Sequence, residues 1–91
     1  MRIARRFVIS GRVQGVGFRY FTYDVATREG VAGYVRNLPD GRVEALVEGD
    51  EEAVTRVERA VRMGPGGARV QQVDTDTLEP SGVYRSFTMT A

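Results

Sequence analysis

The 91-residue chain contains no cysteine, no histidine and no lysine. Without cysteine it can form no disulfide, thiolate nucleophile or cysteine-bound metal site. Without histidine it lacks the commonest general base and the commonest transition-metal ligand. A Ser-His-Asp triad and a zinc hydrolase are therefore excluded. Any chemistry must use arginine, amide, hydroxyl and carboxylate side chains together with backbone amides.

Long apolar runs and a strong charge of either sign are also missing. Lysine and arginine together number 13, all of them arginine, against 12 acidic residues, and the net charge of +1 gives no general attraction to nucleic acid or anionic membranes. The apolar stretch 7–9 is too short for a signal peptide, and no run approaches the ~20 residues of a membrane span. We expect one domain spanning residues 1–91, located in the cytoplasm, monomeric, and without nucleic-acid or membrane partners.

The pattern of apolar residues and glycine stops predicts short strands alternating with two helices. The predicted strands are Ala4–Gly11, Val31–Leu38, Arg42–Glu48, Arg69–Thr77 and a last short strand holding Val83, Phe87 and Met89, and the predicted helices are Phe18–Glu29 and a second one between Asp50 and Gly64. This βαββαβ order is typical of an α+β, ferredoxin-like sandwich. It implies an antiparallel sheet with both helices on one face, plus a short extra C-terminal strand.

Three glycines lie in the segment Gly11–Arg19, which joins the first strand to the first helix. Glycine allows a tight turn and close approach to a ligand, and successive amides at a helix N-terminus can converge on an anion. The segment therefore predicts a cradle for a phosphate-sized oxyanion, although a turn needing glycine only for packing remains open. Tyr20 stands where a GxGxxG motif needs glycine, and a Walker A loop needs a lysine. Neither a dinucleotide nor a nucleoside triphosphate is expected to bind in those ways.

Arg19 is the first candidate site residue. It falls in the first turn of the predicted helix, where a cation opposes the helix dipole at a cost of ~0.3–1 kcal/mol. A locally disfavoured residue beside a glycine cradle points to function, and a guanidinium can bond two oxygens of one anion. The alternative is a solvated surface arginine.

Asn37 is the second candidate site residue, at the end of the second predicted strand. A crossover connection makes the first two strands run in the same direction, with the third between them and a separation of about 10 Å. The Asn37 amide, which can donate and accept hydrogen bonds, would then face the glycine loop and suit holding a water. A turn-forming asparagine before the segment 38–41 is the alternative.

At these residues the chain resembles a known family. The run Ile9–Arg19, ISGRVQGVGFR, resembles the first signature of acylphosphatases. The run Gly33–Val43, GYVRNLPDGRV, closed by Gly49, resembles the second, in the family's order and spacing. The ending Tyr84–Met89 matches only loosely.

The resemblance implies hydrolysis of acyl phosphates to a carboxylate and inorganic phosphate, without a metal or cofactor. It implies that Arg19 and the loop amides bind the phosphate while Asn37 orients the attacking water. The phosphate-binding residues carried over in this way are Arg12, Val13, Gln14, Gly15, Val16, Gly17, Phe18 and Arg19. No protein base is evident, so we expect the water's proton to pass to a phosphate oxygen of the substrate.

Two other functions remain as alternatives. Acylphosphatase-like domains also occur at the head of larger carbamoyl-transfer maturation proteins, so a noncatalytic anion-binding module is the first, although the start at Met1 and the early end favour a free-standing enzyme. The second is an RNA-recognition domain, but the third strand has no aromatic residue and carries Glu44 and Glu48 opposite the face of its apolar residues. Nothing identifies the acyl group, and Tyr20, Tyr34 and Tyr84 are candidates to line its site.

Overall fold

A computed structural model describes residues 1–90 and contains seven elements. They are β1 (Arg2–Arg12), α1 (Phe18–Glu29), β2 (Ala32–Asn37), β3 (Val43–Asp50), α2 (Glu51–Met63), β4 (Arg69–Leu78) and β5 (Phe87–Met89). This order confirms the ferredoxin-like α+β fold, and α1 has the predicted bounds. The last strand is shorter than predicted, because Val83 lies outside it and is 74% exposed.

The sheet places the two predicted site segments at one edge. Its strand order is β4-β1-β3-β2-β5, and β3 pairs antiparallel with both β1 and β2. Strands β1 and β2 therefore run in the same direction, and their ends at Arg12 and Asn37 lie on the same side of the sheet. The predicted antiparallel pairing holds for the first four strands, whereas β5 joins β2 in parallel and makes the sheet mixed.

Both helices pack one side against the same face of the sheet, and the buried side of α1 is formed by Phe18, Thr22 and Ala26. The fully buried core includes Phe7 and Ile9 from β1, Val35 from β2, and Val54, Val57 and Val61 from α2. Burying such a side chain contributes about 1.5–3 kcal/mol. Neither helix in residues 1–90 has the length and apolarity needed to cross a membrane.

The two helices begin differently. The α2 helix starts after Asp50, and Glu51 and Glu52 in its first turn suit the positive end of the helix dipole. The Asp50 side chain makes no capping hydrogen bond and instead accepts one from the N-terminal ammonium at 3.3 Å. The α1 helix has no acidic residue in its first turn and no side-chain cap, so its amino end is left without a local anion.

The outer face of the sheet, away from the helices, buries the two glutamates of β3, Glu44 and Glu48. Each is only 2% exposed. Glu44 accepts hydrogen bonds from the Nε atoms of Arg6 and Arg36. Burial raises the pKa of Glu44, but the two guanidinium bonds outweigh it and leave the pKa below its ordinary value. The carboxylates lie on the predicted face and are covered by long side chains and by the segment that precedes β5.

Candidate active site

A hollow of about 170 Å³ lies between the loop that follows β1 and the end of β2. It is lined by Val13, Gly15, Gly17, Phe18, Arg19, Tyr20 and Asn37. Pockets for drug-sized ligands are typically about 300–1,000 Å³, so this one suits a phosphate-sized group with a small substituent. The structure thus brings five of the eight predicted phosphate-binding residues together with Asn37.

Two glycines give the loop its path. Gly15 has φ 76° and Gly17 has φ 78°, both in the left-handed region. A Cβ at either position would meet no atom within 4 Å, so the requirement for glycine comes from the backbone and not from space. A residue with a side chain would cost roughly 1–2 kcal/mol there. The loop can therefore turn sharply and leave its main chain bare on the side of the hollow.

The bare main chain carries a run of unpaired amides. Within residues 1–90, no backbone or side-chain acceptor takes the N–H groups from Gly15 through Tyr20. The first bond of the helix runs from the Phe21 amide to the Gly17 carbonyl at 3.0 Å, which leaves the preceding amides free. Unpaired amides at a helix N-terminus form a site of positive potential that favours an anion.

Arg19 adds a formal charge to this site. Its side chain is half-buried, and its Nη1 donates to the carbonyl oxygen of Thr90 at 2.8 Å. It forms no ion pair with a carboxylate in residues 1–90, in contrast to Arg5, Arg6 and Arg36. The guanidinium is thus tethered by one nitrogen while its charge remains uncompensated at the hollow.

Asn37 faces the loop from the end of β2. It is half-buried, lies opposite Val43 in the sheet, and its carboxamide makes no hydrogen bond within residues 1–90. The turn that follows is held without it, since Asp40 accepts from the Arg42 amide at 3.1 Å and the Gly41 amide donates to Leu38. The side chain of Asn37 is therefore available to a ligand or a water.

Three of the predicted phosphate-binding residues do not line the hollow. Arg12 is exposed at the end of β1, paired in register with Arg69 of β4. Val16 packs against the core, and the Gln14 side chain is bonded to the β2–β3 turn. The side chains of Gln14 and Val16 are thus already engaged, which leaves their main-chain amides to contribute to an anion site.

The tyrosine candidates are separated by the fold. Tyr20 lines the hollow and is 68% exposed. Tyr34 and Tyr84 instead pair with each other, their ring centres 5.9 Å apart, and the Arg36 guanidinium lies 5.8 Å from the Tyr34 ring.

Thr90, whose carbonyl oxygen accepts the hydrogen bond from Arg19, is a site residue that the sequence does not predict, because nothing local in the sequence connects it to α1.

Two larger hollows lie elsewhere and hold none of the predicted site residues. One, of about 390 Å³, lies over charged side chains on the exposed face of α2, and the other, of about 330 Å³, lies between the end of α1 and the start of β5. These hollows are also lined by arginines without an ion pair in the described part of the chain, Arg59 and Arg85, so neither volume nor a free guanidinium alone marks a candidate site. The hollow beside α1 differs in combining Arg19 with the run of unpaired amides. Within residues 1–90, no three carboxylates gather closely enough to hold a metal ion.

Comparison with known proteins decides the family. Residues 5–89 match the sequence profile described as Acylphosphatase. The chain belongs to the acylphosphatase family. An acylphosphatase of Anaeromyxobacter dehalogenans is 50% identical over 86 residues, which cover 94% of this chain and 92% of that one. The crystal structure of acylphosphatase from Bacillus subtilis has a TM-score of 0.94 at 36% identity, covering 98% of this chain and 99% of that chain. The predicted family and enzyme class are confirmed at this level.

The acylphosphatase fold also occurs inside a much larger protein. Full-length HypF, crystallised in a phosphate- and nucleotide-bound form, matches this chain with a TM-score of 0.88 and 26% identity. The match covers all of this chain but only 12% of HypF. The same domain architecture therefore exists both alone and as a small part of a longer polypeptide.

Proposed function

We propose that this acylphosphatase hydrolyses the carboxyl–phosphate bond of small acyl phosphates, releasing a carboxylate and inorganic phosphate. The observation that supports this most directly is the run of unpaired amides beside Arg19, facing the free carboxamide of Asn37. Such a site offers donors and positive charge on one side and a hydrogen-bonding amide on the other. Phosphoryl transfer requires mainly positioning and charge stabilisation, which these groups can supply.

The loop and Arg19 bind the phosphoryl group in this proposal. The non-bridging oxygens accept hydrogen bonds from amides between Arg12 and Arg19. The guanidinium, already bonded to Thr90 through Nη1, offers its remaining N–H groups to two of these oxygens. The charge on the phosphoryl oxygens is distributed differently in the transition state than in the bound substrate. Donors that are fixed where this charge develops stabilise the transition state more than the substrate, and they therefore lower the barrier.

Asn37 orients the attacking water. Its carboxamide oxygen accepts a hydrogen bond from the water, which directs the water's lone pair at phosphorus. The new P–O bond forms as the bond between phosphorus and the acyl oxygen breaks, and the acyl group leaves as a carboxylate with the bonding electron pair. The residues lining the hollow include no Asp or Glu, so the proton passes from the water to a phosphate oxygen.

The reaction is proposed to need no metal or cofactor, since arginine and the amides supply the positive potential. Chelation with EDTA is then expected to leave turnover unchanged. Location in the cytoplasm, a monomeric state and the lack of nucleic-acid or membrane partners remain predictions.

Phosphate release from acetyl phosphate tests the function, with p-nitrophenyl phosphate as the control. Rapid release from acetyl phosphate is expected, because a carboxylate leaves readily without a general acid. The phosphomonoester should react far more slowly. Equal rates on the two substrates would instead indicate a general phosphatase.

A noncatalytic anion-binding module is the second candidate, favoured by the match to a small part of HypF. Such a module would bind inorganic phosphate at the same hollow and release none from acetyl phosphate. Calorimetric phosphate binding combined with the absence of turnover would support it over the enzyme.

A further inference from the structure

Gln14 connects the phosphate loop to the turn that follows Asn37. Its Nε2 donates to the carbonyl oxygen of Leu38 at 2.8 Å and to that of Arg42 at 3.0 Å. A carboxamide nitrogen carries two hydrogens, so both are used. The two acceptors lie 24 and 28 residues away in sequence, on either side of the β2–β3 turn. The side chain is thus a crosslink between two separate segments.

The hydrogen bonds of the turn connect the Gln14 crosslink to the residue directly after Asn37. Leu38, the next residue after Asn37, also donates its amide to the Arg42 carbonyl at 2.8 Å. The Arg42 carbonyl therefore accepts from both Leu38 and Gln14, and the Leu38 carbonyl accepts from both Gln14 and Gly41. Leu38, the residue directly after Asn37, is therefore held through both its N–H group and its carbonyl oxygen.

No other hydrogen bond within residues 1–90 joins the loop 13–17 directly to the turn 38–42. Strands β1 and β2 are not neighbours, because β3 lies between them. The sheet therefore fixes the spacing of the two segments only through an intervening strand. Gln14 supplies the direct connection at the edge where the hollow lies.

We propose that Gln14 is a positioning residue, which sets the distance between the phosphate-binding loop and the water held by Asn37. The inference rests on the proposed function, since it assigns no contact between the Gln14 side chain and the substrate. A displacement of about 1 Å in an attacking group can cost on the order of 10²-fold in rate. Loosening the turn should therefore slow the chemical step and leave phosphate binding by the loop largely intact.

The substitution Gln14→Met tests this, because methionine has a similar length and no donor. The kcat for acetyl phosphate is expected to fall about 10- to 100-fold, while the inhibition constant of inorganic phosphate changes less than about threefold. Gln72→Met is the matched control. Gln72 is exposed on β4, and its side-chain carboxamide donates only to the carboxylate of Asp74, at 2.7 Å. Circular dichroism and thermal unfolding verify that each variant folds.

A double-mutant cycle separates positioning from a general loss of structure. If Gln14 acts through Asn37, Gln14→Met should reduce kcat by less than about threefold when Asn37 is already alanine. Losses that multiply in the double variant would overturn the inference, and so would a rise in the phosphate inhibition constant equal to the fall in kcat. Failure of the unsubstituted protein to release phosphate would overturn the proposed function, and this inference with it.

Discussion

The Nη1 of Arg19 donates to the carbonyl oxygen of Thr90 at 2.8 Å, across 71 residues of sequence. The backbone amide of Thr90 in turn donates to the carbonyl oxygen of Val35 at 2.9 Å, and Val35 belongs to β2, the strand that ends in Asn37. The C-terminal segment therefore links the first turn of α1 to β2. One consequence is that the guanidinium is held in place before any anion arrives, which reduces the entropy lost on binding.

Removing the Arg19 charge should abolish most of the activity without unfolding the protein. For Arg19→Gln we expect a loss of at least ~10²–10³-fold in kcat/KM for acetyl phosphate, the usual scale for one charge-stabilising donor. Arg19→Lys should recover little, because an ammonium cannot bond Thr90 and two phosphate oxygens with the same planar geometry. Steady-state phosphate release measures the effect. Arg28→Gln, at the other end of α1, is the control, and near-normal turnover of Arg19→Gln would refute the role given to Arg19.

Truncating Asn37 should separate catalysis from binding. Asn37→Ala is expected to lower kcat by roughly 10²-fold, because the attacking water loses the group that orients it. The inhibition constant of inorganic phosphate should stay within about threefold of its original value, since the loop and Arg19 are untouched. Product-inhibition kinetics give both quantities. A large loss of phosphate affinity would mean that Asn37 binds the phosphate itself.

Local sequence patterns were enough to predict the elements that carry the site. The pattern of apolar residues and the glycine stop after Glu29 predict α1 with its observed bounds, because helix period and glycine stops are local properties. The placement of Asn37 at the same edge as the glycine loop followed from the crossover rule. These features depend on residues close in sequence or on general topology.

The contacts that hold the site depend on distant residues, and no local pattern contains them. Gln14 reaches the turn 38–42, and Thr90 reaches Arg19, only once the sheet has formed. The alternation of β3 predicted the face on which Glu44 lies but not its burial, which requires Arg6 and Arg36 from two other strands. Side-chain partners across strands are fixed by register and rotamer, which the sequence alone does not display.

Tyr20 should influence which acyl groups are accepted. It is the exposed aromatic residue among those lining the hollow, and a ring there can contact an apolar acyl group. We expect Tyr20→Ala to raise KM about 3- to 10-fold for benzoyl phosphate, through a loss of about 0.5–1.5 kcal/mol of aromatic contact, and to leave KM for acetyl phosphate nearly unchanged. Tyr20→Phe, which keeps the ring, is the control. Equal changes for both substrates would exclude a contact with the acyl group.

Glu48 should make the free energy of unfolding depend on pH in the acid range. Its buried carboxylate accepts hydrogen bonds from the Ser81 amide at 3.0 Å, the Ser81 hydroxyl at 2.7 Å and the Gly82 amide at 3.2 Å. Burial raises the pKa of Glu48, but these bonds outweigh it, so the pKa in the folded protein is below its ordinary value. The carboxylate thus fastens the segment before β5 to the sheet.

The sign of the pH effect follows from this lowered pKa. Below the ordinary value of about 4.3, the unfolded chain binds a proton that the folded protein resists. The contribution of Glu48 is therefore complete above that pH and is lost as the pH falls through the folded-state pKa. Glu48→Gln should lower the free energy of unfolding at pH 7 by about 1–3 kcal/mol. The free energy of unfolding of this variant should also decrease less steeply as the pH falls. Urea unfolding from pH 7 to pH 2 measures both effects, with the exposed Glu79→Gln as control. An unchanged acid slope in Glu48→Gln would show that other groups carry the pH dependence.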